Sequence, residues 1–445
     1  MHLESRSLKS NFIRYVIPSI LAQWVYALYN MVDGFFVAWG VGEVALTAVN
    51  LSNPFLQFLF ATSVLFAVGT STVTAIFMGN GEYRRASEVF TQNIVTQLVL
   101  GVAIIALMVP NLEAAAIFLG AKDPETLGYV KEYLIAVIPF APAFLLSYTF
   151  EVLLKTDGFP RKTVCIVIFC AVENCILDWL FVIVMHKGVG GAAFATGFSQ
   201  MTGTIIYLYH FLKKKGTFRF SKFHFSPGLM VREVRNGFSS SLTEISAGVV
   251  TLIFNRVILL YLTRDALVSY AIVSYINGLI VFSIIGIVQG SQPLISYYYG
   301  KREEKICRKL LHYCLRTSVA FCVGALMICA MLTYPIVSCY VGEDLSELRA
   351  YSVMVVRIFI LSFPLMGLNI TLSGYLASVE YPTPAVVISA ARGFVVLLAS
   401  LFLLTSIWGG TGIWWAPLLS EVVSAGIAFV LFRNCWGKVF SRDVL

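Results

Sequence analysis

Four acidic residues interrupt otherwise apolar stretches in the first half of the chain: Asp33, Glu151, Glu173 and Asp178. A charge at the centre of a bilayer costs about 2.5–3.5 kcal/mol on insertion scales, so a carboxyl kept there marks a place where an ion, a proton or a ligand is handled. Asn174 and Asp178 are spaced i, i+4, which puts an amide and a carboxylate on one face of a helix, about 6 Å apart along its axis. With Asp33 supplied by a second helix, these oxygens suit a hydrated Na⁺, or one of the carboxylates takes up a proton. Glu173 turns about 100° away from Asn174 and reads as structural or interfacial. The second half carries Glu244, Arg256, Arg357, Arg392 and Glu421. Its arginines can neutralise its own carboxylates, Arg392 for Glu421 in particular. Glu244, with Gln289 and Arg392, forms a candidate polar site there, although Glu244 follows three serines near the entry of a span and fits a cytoplasmic position equally well.

Other chemistries find no support. There is no GxxxxGK[ST] loop for a nucleotide phosphate and no HExxH, and the five histidines lie mostly near loops. The nine cysteines include no CxxC pair and read as small apolar residues. The expected protein is therefore not an enzyme and uses no cofactor.

Positioning these acids requires a membrane-embedded scaffold. Of 445 residues, 58% are hydrophobic and only 13% charged, whereas soluble domains are about one quarter charged. Apolar runs near 12–40, 48–78, 88–110, 126–155, 161–186, 189–212, 233–262, 266–299, 310–334, 348–378, 383–407 and 411–433 predict twelve spanning helices. The polar opening MHLESRSLKSNF leads into a full-length span without a small-residue cleavage site, the pattern of a retained first helix. Basic residues alternate strongly between sides. Arg6, Lys9 and Arg14; Arg84 and Arg85; Lys155, Arg161 and Lys162; the central run from Lys213 to Arg235; Lys301 to Lys309; and Arg433, Lys438 and Arg442 fall on one side. Only Lys122, Lys131, Lys187, Arg264 and Arg349 fall on the other. The positive-inside rule then puts both termini in the cytoplasm of a multi-pass plasma-membrane protein, and it accounts for the net charge of +8 without a nucleic-acid partner.

The chain also repeats itself. VGTSTVTAIFMGNGEYRRASEVF in the first half corresponds to QGSQPLISYYYGKREEKICRKLL in the second, pairing Gly69 with Gly290 and Gly79 with Gly300. Pro160 pairs with Pro382, Gly191 with Gly412 and Ser199 with Ser420, so the offset holds at 221–222 residues. The predicted fold is all-α, with twelve transmembrane helices in two six-helix lobes related by a pseudo-twofold axis along the membrane normal. The lobes span 1–209 and 233–445, with a basic cytoplasmic linker, 210–232, between them. Pro18 lies about 22 Å along an unbroken helix from Asp33 and can serve as a hinge or a fixed kink.

The segments YNMVDGFFVAWGVGEVALTAVNLSNP, ENCILDWLFVIVMHKGVGGAAFAT, IVQGSQPLISYYYGKRE and GIWWAPLLSE resemble signatures of the MATE (multidrug and toxic compound extrusion) transporters. The likeness covers essentially the whole chain and is nearest to the DinF-like branch. It implies that Asp33, Asn174, Asp178, the Thr196 hydroxyl and Tyr133 form a coupling site for Na⁺ or H⁺, with Na⁺ held at Asp33, Asn174, Asp178 and Thr196, and that Pro18 is the hinge. Glu151 departs from the pattern, standing where an amide is usual, and adds a third ionisable group. It either joins the acidic cluster or pairs with Lys155 at i, i+4, a contact worth about 0.3–0.5 kcal/mol on an exposed helix. The implied activity is secondary antiport by a monomer that exports small organic cations in contact with membrane lipid. A lipid-linked saccharide flippase of the related superfamily is the alternative; it would favour many cavity arginines, which are scarce here. An intramembrane enzyme or a channel would need clustered catalytic groups or a filter loop.

Cysteines introduced beside Lys214 and Arg302 are expected to be labelled only from the cytoplasm, and those beside Asp123 and Asp344 only from outside. Labelling of the Lys214 and Asp123 sites from the same face would break the twelve-span topology.

Overall fold

A duplicated sequence whose breaks are prolines and glycines should fold with those breaks at the same offset, because both residues act on the backbone directly. The computed structural model describes residues 7–263, 265–342 and 345–436; Arg6, Arg264, Asp344, Lys438 and Arg442, used for the topology, lie outside them. The described residues form helices and short connections, with no strand among them. In chain order the helices are α1 (Leu8–Gly40), α2 (Glu43–Gly79), α3 (Tyr83–Met108), α4 (Leu112–Phe118), α5 (Pro124–Val137), α6 (Ala141–Thr156), α7 (Pro160–Asp178) and α8 (Gly188–Leu212). They continue with α9 (Pro227–Tyr261), α10 (Asp265–Gly300), α11 (Glu304–Ser338), α12 (Ser346–Phe359), α13 (Phe363–Ser378), α14 (Pro382–Ala390), α15 (Val396–Trp408) and α16 (Gly412–Trp436).

Joined helices make twelve spans. A 3₁₀ turn, Ile138–Phe140, links α5 to α6, another, Ile360–Ser362, links α12 to α13, and a π-helical turn, Ala391–Val395, links α14 to α15. Pro139 and Pro142 in one repeat and Pro364 in the other lack the N–H that an uninterrupted α-helix needs. Nine stretches of the described residues are long and apolar enough to cross a bilayer, and one of them, Pro382–Cys435, holds two spans in succession. The remaining two, α1 and α8, carry polar candidates: Asp33 on one, Thr196 and Gln200 on the other. The breaks recur as the repeat requires. Helices end at Gly79 and Gly300, the 3₁₀ turns begin at Ile138 and Ile360, and helices begin with proline at Pro160 and Pro382. Proline suits that first position, where its missing donor has no partner to lose.

The chain forms two compact units that divide between Gly237 and Phe238, inside α9. In the first, α1 lies along α7, α2 along α6 and α5 along α8. The opening turns of α9 pack backbone against backbone on α2: a Cβ at Gly69 would overlap the carbonyl of Glu233, and one at Gly237 the carbonyl of Leu65. In the second unit α15 lies along α16, and α13 along α11 and α10. Large apolar side chains such as Phe118, Leu260 and Met331 are among the most exposed, the surface a hydrocarbon solvent covers.

The connection between the repeats is shorter than the 210–232 run read from its charge. Helix α8 persists to Leu212 and α9 starts at Pro227, so Arg232 and Arg235 are helical. The extended segment between them is strapped to α3 and to the α6–α7 turn. Thr217 N–H donates to Asp157 Oδ1 at 2.6 Å, Ser221 N–H to Thr91 Oγ1 at 3.1 Å, and Ser226 N–H to Gln92 Oε1 at 3.0 Å. Phe218 stacks on Phe90 at 5.2 Å.

Burial pushes the Asp157 carboxyl up to about 6, against the lowering effect of the bonds from Thr217. The folded state therefore holds this proton more tightly than the unfolded chain does. Its contribution is complete below about pH 4 and is lost as pH rises to about 6, an effect of roughly 2–3 kcal/mol. Thermal unfolding in detergent is expected to show this decline between pH 4 and 6, and Asp157→Asn is expected to flatten it. An unchanged slope in that variant would remove Asp157 as its source.

Candidate ion and ligand site

Helix α1 continues through Pro18, and the Ser19 hydroxyl bonds the Tyr15 carbonyl at 2.9 Å in the turn the proline disturbs. Farther along, α1 brings Asp33 to α7, where its carboxyl meets that of Asp178 side chain to side chain. Asp178 is fully buried and Asp33 partly so. Asp178 is also the last residue of α7 before a π-helical turn, Trp179–Val184, a local widening that recurs at functional sites. Tyr133 of α5 and Tyr29 of α1 lie within electrostatic range of the pair. Among the described residues, Asp33 Oδ1, both Asp178 oxygens, and Asn174 Oδ1 and Nδ2 are buried without a hydrogen-bond partner. Buried oxygens left open around two carboxyls are the donor set a small hard cation or a proton requires.

One helical turn before Asp178, Asn174 reaches a partly open cleft between side chains. Thr196, Glu151 and Gln200 supply polar wall; Tyr26, Phe60 and Tyr148 supply aromatic wall. Tyr26 stacks on Phe60 at 5.3 Å, and Phe60 meets Tyr148 edge-on at 5.1 Å. An aromatic box with one acidic wall suits a flat organic cation. Thr196 already donates to the Ala192 carbonyl at 3.1 Å, leaving its oxygen lone pairs for a ligand.

Glu151 takes the second of the two positions considered for it, beside Lys155. It lines the cavity, and its Oε1 also accepts from Lys155 Nζ at 2.9 Å. Lys155 is 3% exposed at its side chain and Glu151 12%, so this is a buried pair rather than a surface contact. Glu173 turns aside to accept from Thr202 at 3.1 Å. Pro18 lies on α1 outside the cavity lining. In the second unit Arg392 binds Glu421, its Nη2 to Oε1 at 2.8 Å. Gln289 is buried in α10 and Glu244 half-buried in α9; Arg392 gives its side-chain bonds to Glu421 and to neither of them.

Two groups were passed over in the sequence. Tyr29 stands four residues before Asp33, on the same helical face, a spacing that could have singled it out among 21 tyrosines. Glu233, flanked by Arg232 and Arg235, resembles a loop residue, yet it is fully buried and accepts from Asn93 Nδ2 at 3.3 Å; Asn93 in turn bonds Gln97.

The family model for MATE proteins, MatE, matches residues 18–180 and 240–404, once in each repeat. The chain belongs to the MATE family. Like other members it is a multi-pass membrane transporter and not an enzyme. Among its MATE relatives are proteins named Multidrug export protein MepA. That of Staphylococcus saprophyticus is 23% identical over 97% of this chain and 94% of its own. That of Staphylococcus haemolyticus is 24% identical over the same shares. A structure titled "Outward-facing conformation of a multidrug resistance MATE family transporter of the MOP superfamily" matches with a TM-score of 0.91 at 20% identity, covering 98% of each chain. Another, "Crystal structure of MATE in the bent conformation", matches with a TM-score of 0.90 at 20% identity, covering 98% of this chain and 96% of that one. These likenesses establish the two-lobe, twelve-helix MATE fold.

Removing one member of a buried pair strands the other. Glu151→Gln is expected to cost about 3 kcal/mol by leaving the Lys155 ammonium unpaired, and Glu151→Gln/Lys155→Met to recover at least about 1 kcal/mol of that loss. Melting curves of the two single variants and the double variant give the coupling. Strict additivity would show that the pair contributes nothing to the fold.

Proposed function

We propose that this MATE protein is a secondary antiporter of the plasma membrane, exporting flat organic cations in exchange for H⁺ or Na⁺. The observation that carries this reading is the adjacency of two functions in one unit: an acid pair, Asp33 and Asp178, one helical turn through Asn174 from an aromatic cavity walled by Glu151. The names of the relatives, multidrug export proteins, support export as the activity.

The chemistry follows from charge. Two carboxyls in contact away from water repel strongly unless a cation lies between them, so H⁺ or Na⁺ entering from outside loads the Asp33–Asp178 pair. That draws α1 onto α7, and α1 also carries Tyr26 and Tyr29 of the cavity wall. A ligand cation held by those rings and by Glu151 favours the opposite arrangement. Ion and ligand thereby disfavour each other's binding, and by linkage the effect is equal in both directions. Pro18 supplies the hinge, Tyr133 and Thr196 complete the ion site, and both termini lie in the cytoplasm. The protein works as a monomer in contact with lipid, and the branch it fits is the DinF-like one.

In proteoliposomes loaded with ethidium, wild-type protein is expected to extrude the dye when an H⁺ or a Na⁺ gradient is imposed separately. Asp178→Asn and Asp33→Asn are expected to lower the rate at least tenfold under both gradients while leaving folded protein in the membrane. Wild-type rates in Asp178→Asn would remove the coupling role from this pair.

A further inference from the structure

The repeat lets each residue of the cavity be matched to a counterpart in the second unit. The 3₁₀ turns at Ile138 and Ile360 set an offset of 222 for α6 and α13, which pairs Ser147 with Asn369. The prolines opening α7 and α14 set the same offset and pair Cys170 with Arg392. Gly191 and Gly412 set an offset of 221 for α8 and α16, pairing Gln200 with Glu421. Ser147, Cys170 and Gln200 all line the first unit's cavity. Their counterparts are bonded to one another. Arg392 Nε and Nη2 donate to Glu421 Oε1 at 3.2 and 2.8 Å, and Asn369 Nδ2 donates to Glu421 Oε2 at 2.6 Å.

We infer that Arg392 is a tethered cation filling the second unit's counterpart of the ligand cavity, so that each chain takes one organic cation, in the first unit only. A guanidinium is planar, delocalised and permanently charged, the properties proposed for the transported ligand. It is held as such a ligand would be, by a carboxylate with an amide behind it, at a side-chain exposure of 11% for Arg392 and 8% for Glu421. The backbone at this position is specialised too. Arg392 sits in the π-helical turn Ala391–Val395, whereas the corresponding stretch of α7 is regular α-helix. A π turn re-aims side chains relative to the α register, and here it goes with an arginine in place of the small Cys170. The acid differs in parallel: Glu421 stands where the first unit has the neutral Gln200, so the second unit supplies anion and cation together.

This inference rests on the first unit's cavity being the ligand site. Equilibrium dialysis of the purified, detergent-solubilised full chain with ethidium tests it. Wild type is expected to bind one equivalent. Arg392→Ala removes the guanidinium and frees the Glu421 carboxylate, and is expected to bind two; Arg392→Ala/Glu421→Gln is expected to return to one. If Arg392→Ala does not fold, Arg392→Cys, which installs the first unit's residue and keeps the Glu421 carboxylate, is expected to bind two. One equivalent in whichever of these two variants elutes and melts as folded protein overturns the inference. If wild type binds none, the first-unit reading has failed separately, and the gain of one equivalent in Arg392→Ala still decides the second.

Discussion

Asp33 on α1 and Asp178 on α7 bring two carboxyls together, one fully buried and the other partly so. Their mutual repulsion, or its relief by a cation, acts on two helices that lie against each other over much of their length. In the proposed antiport, attraction for the cation and closure of α1 on α7 are one quantity measured in two ways. Because Tyr26 and Tyr29 ride on α1 with Asp33, a change at the acid pair reaches the cavity wall through a single stiff element. The surroundings fit this arrangement. Asn174 keeps both polar atoms open between acid pair and cavity, and the π turn after Asp178 frees α7 from regular geometry where the carboxyl is presented.

The two units share a helix plan and differ in what fills them. Matching breaks at prolines and glycines hold the backbones in register, while three substitutions at matched positions turn a cavity lining into a buried ion pair. A buried pair is a poor source of stability, since desolvation takes back most of the Coulombic gain. In the second unit the pair occupies the positions that line the cavity of the first, and in the first unit Lys155 meets Glu151 at the cavity wall.

How much of this was legible depends on whether the signal was local. Helix ends were readable because Gly79, Gly300, Pro160 and Pro382 act on their own backbone, and the duplication doubled each signal. The pairing of Asn174 with Asp178 on one face followed from i, i+4 spacing, which offered the Glu151–Lys155 contact as one of two alternatives, and Arg392 with Glu421 followed from charge balance. What stayed hidden depends on the third dimension. Tyr29 was lost among aromatics most of which face lipid or helix seams. Glu233 was masked by Arg232 and Arg235, because a charge-rich stretch next to a basic loop gives no sign that one of its members turns inward. The linker looked longer than it is because basic residues at a helix start look the same as basic residues in a loop. The π turns have no residue signature, and only the backbone reveals them.

The measurement that bears most directly on the acid pair is the dependence of tetraphenylphosphonium affinity on pH and Na⁺ concentration, taken on purified protein without any gradient. If the pair holds the cation that opposes the ligand, affinity in the wild type falls about tenfold for each unit by which pH is lowered, or each decade by which Na⁺ is raised, across the range where the site loads. In Asp178→Asn that dependence disappears while ligand binding remains. An ion dependence of equal slope in wild type and Asp178→Asn would contradict it, and would place the coupling ion somewhere other than between Asp33 and Asp178.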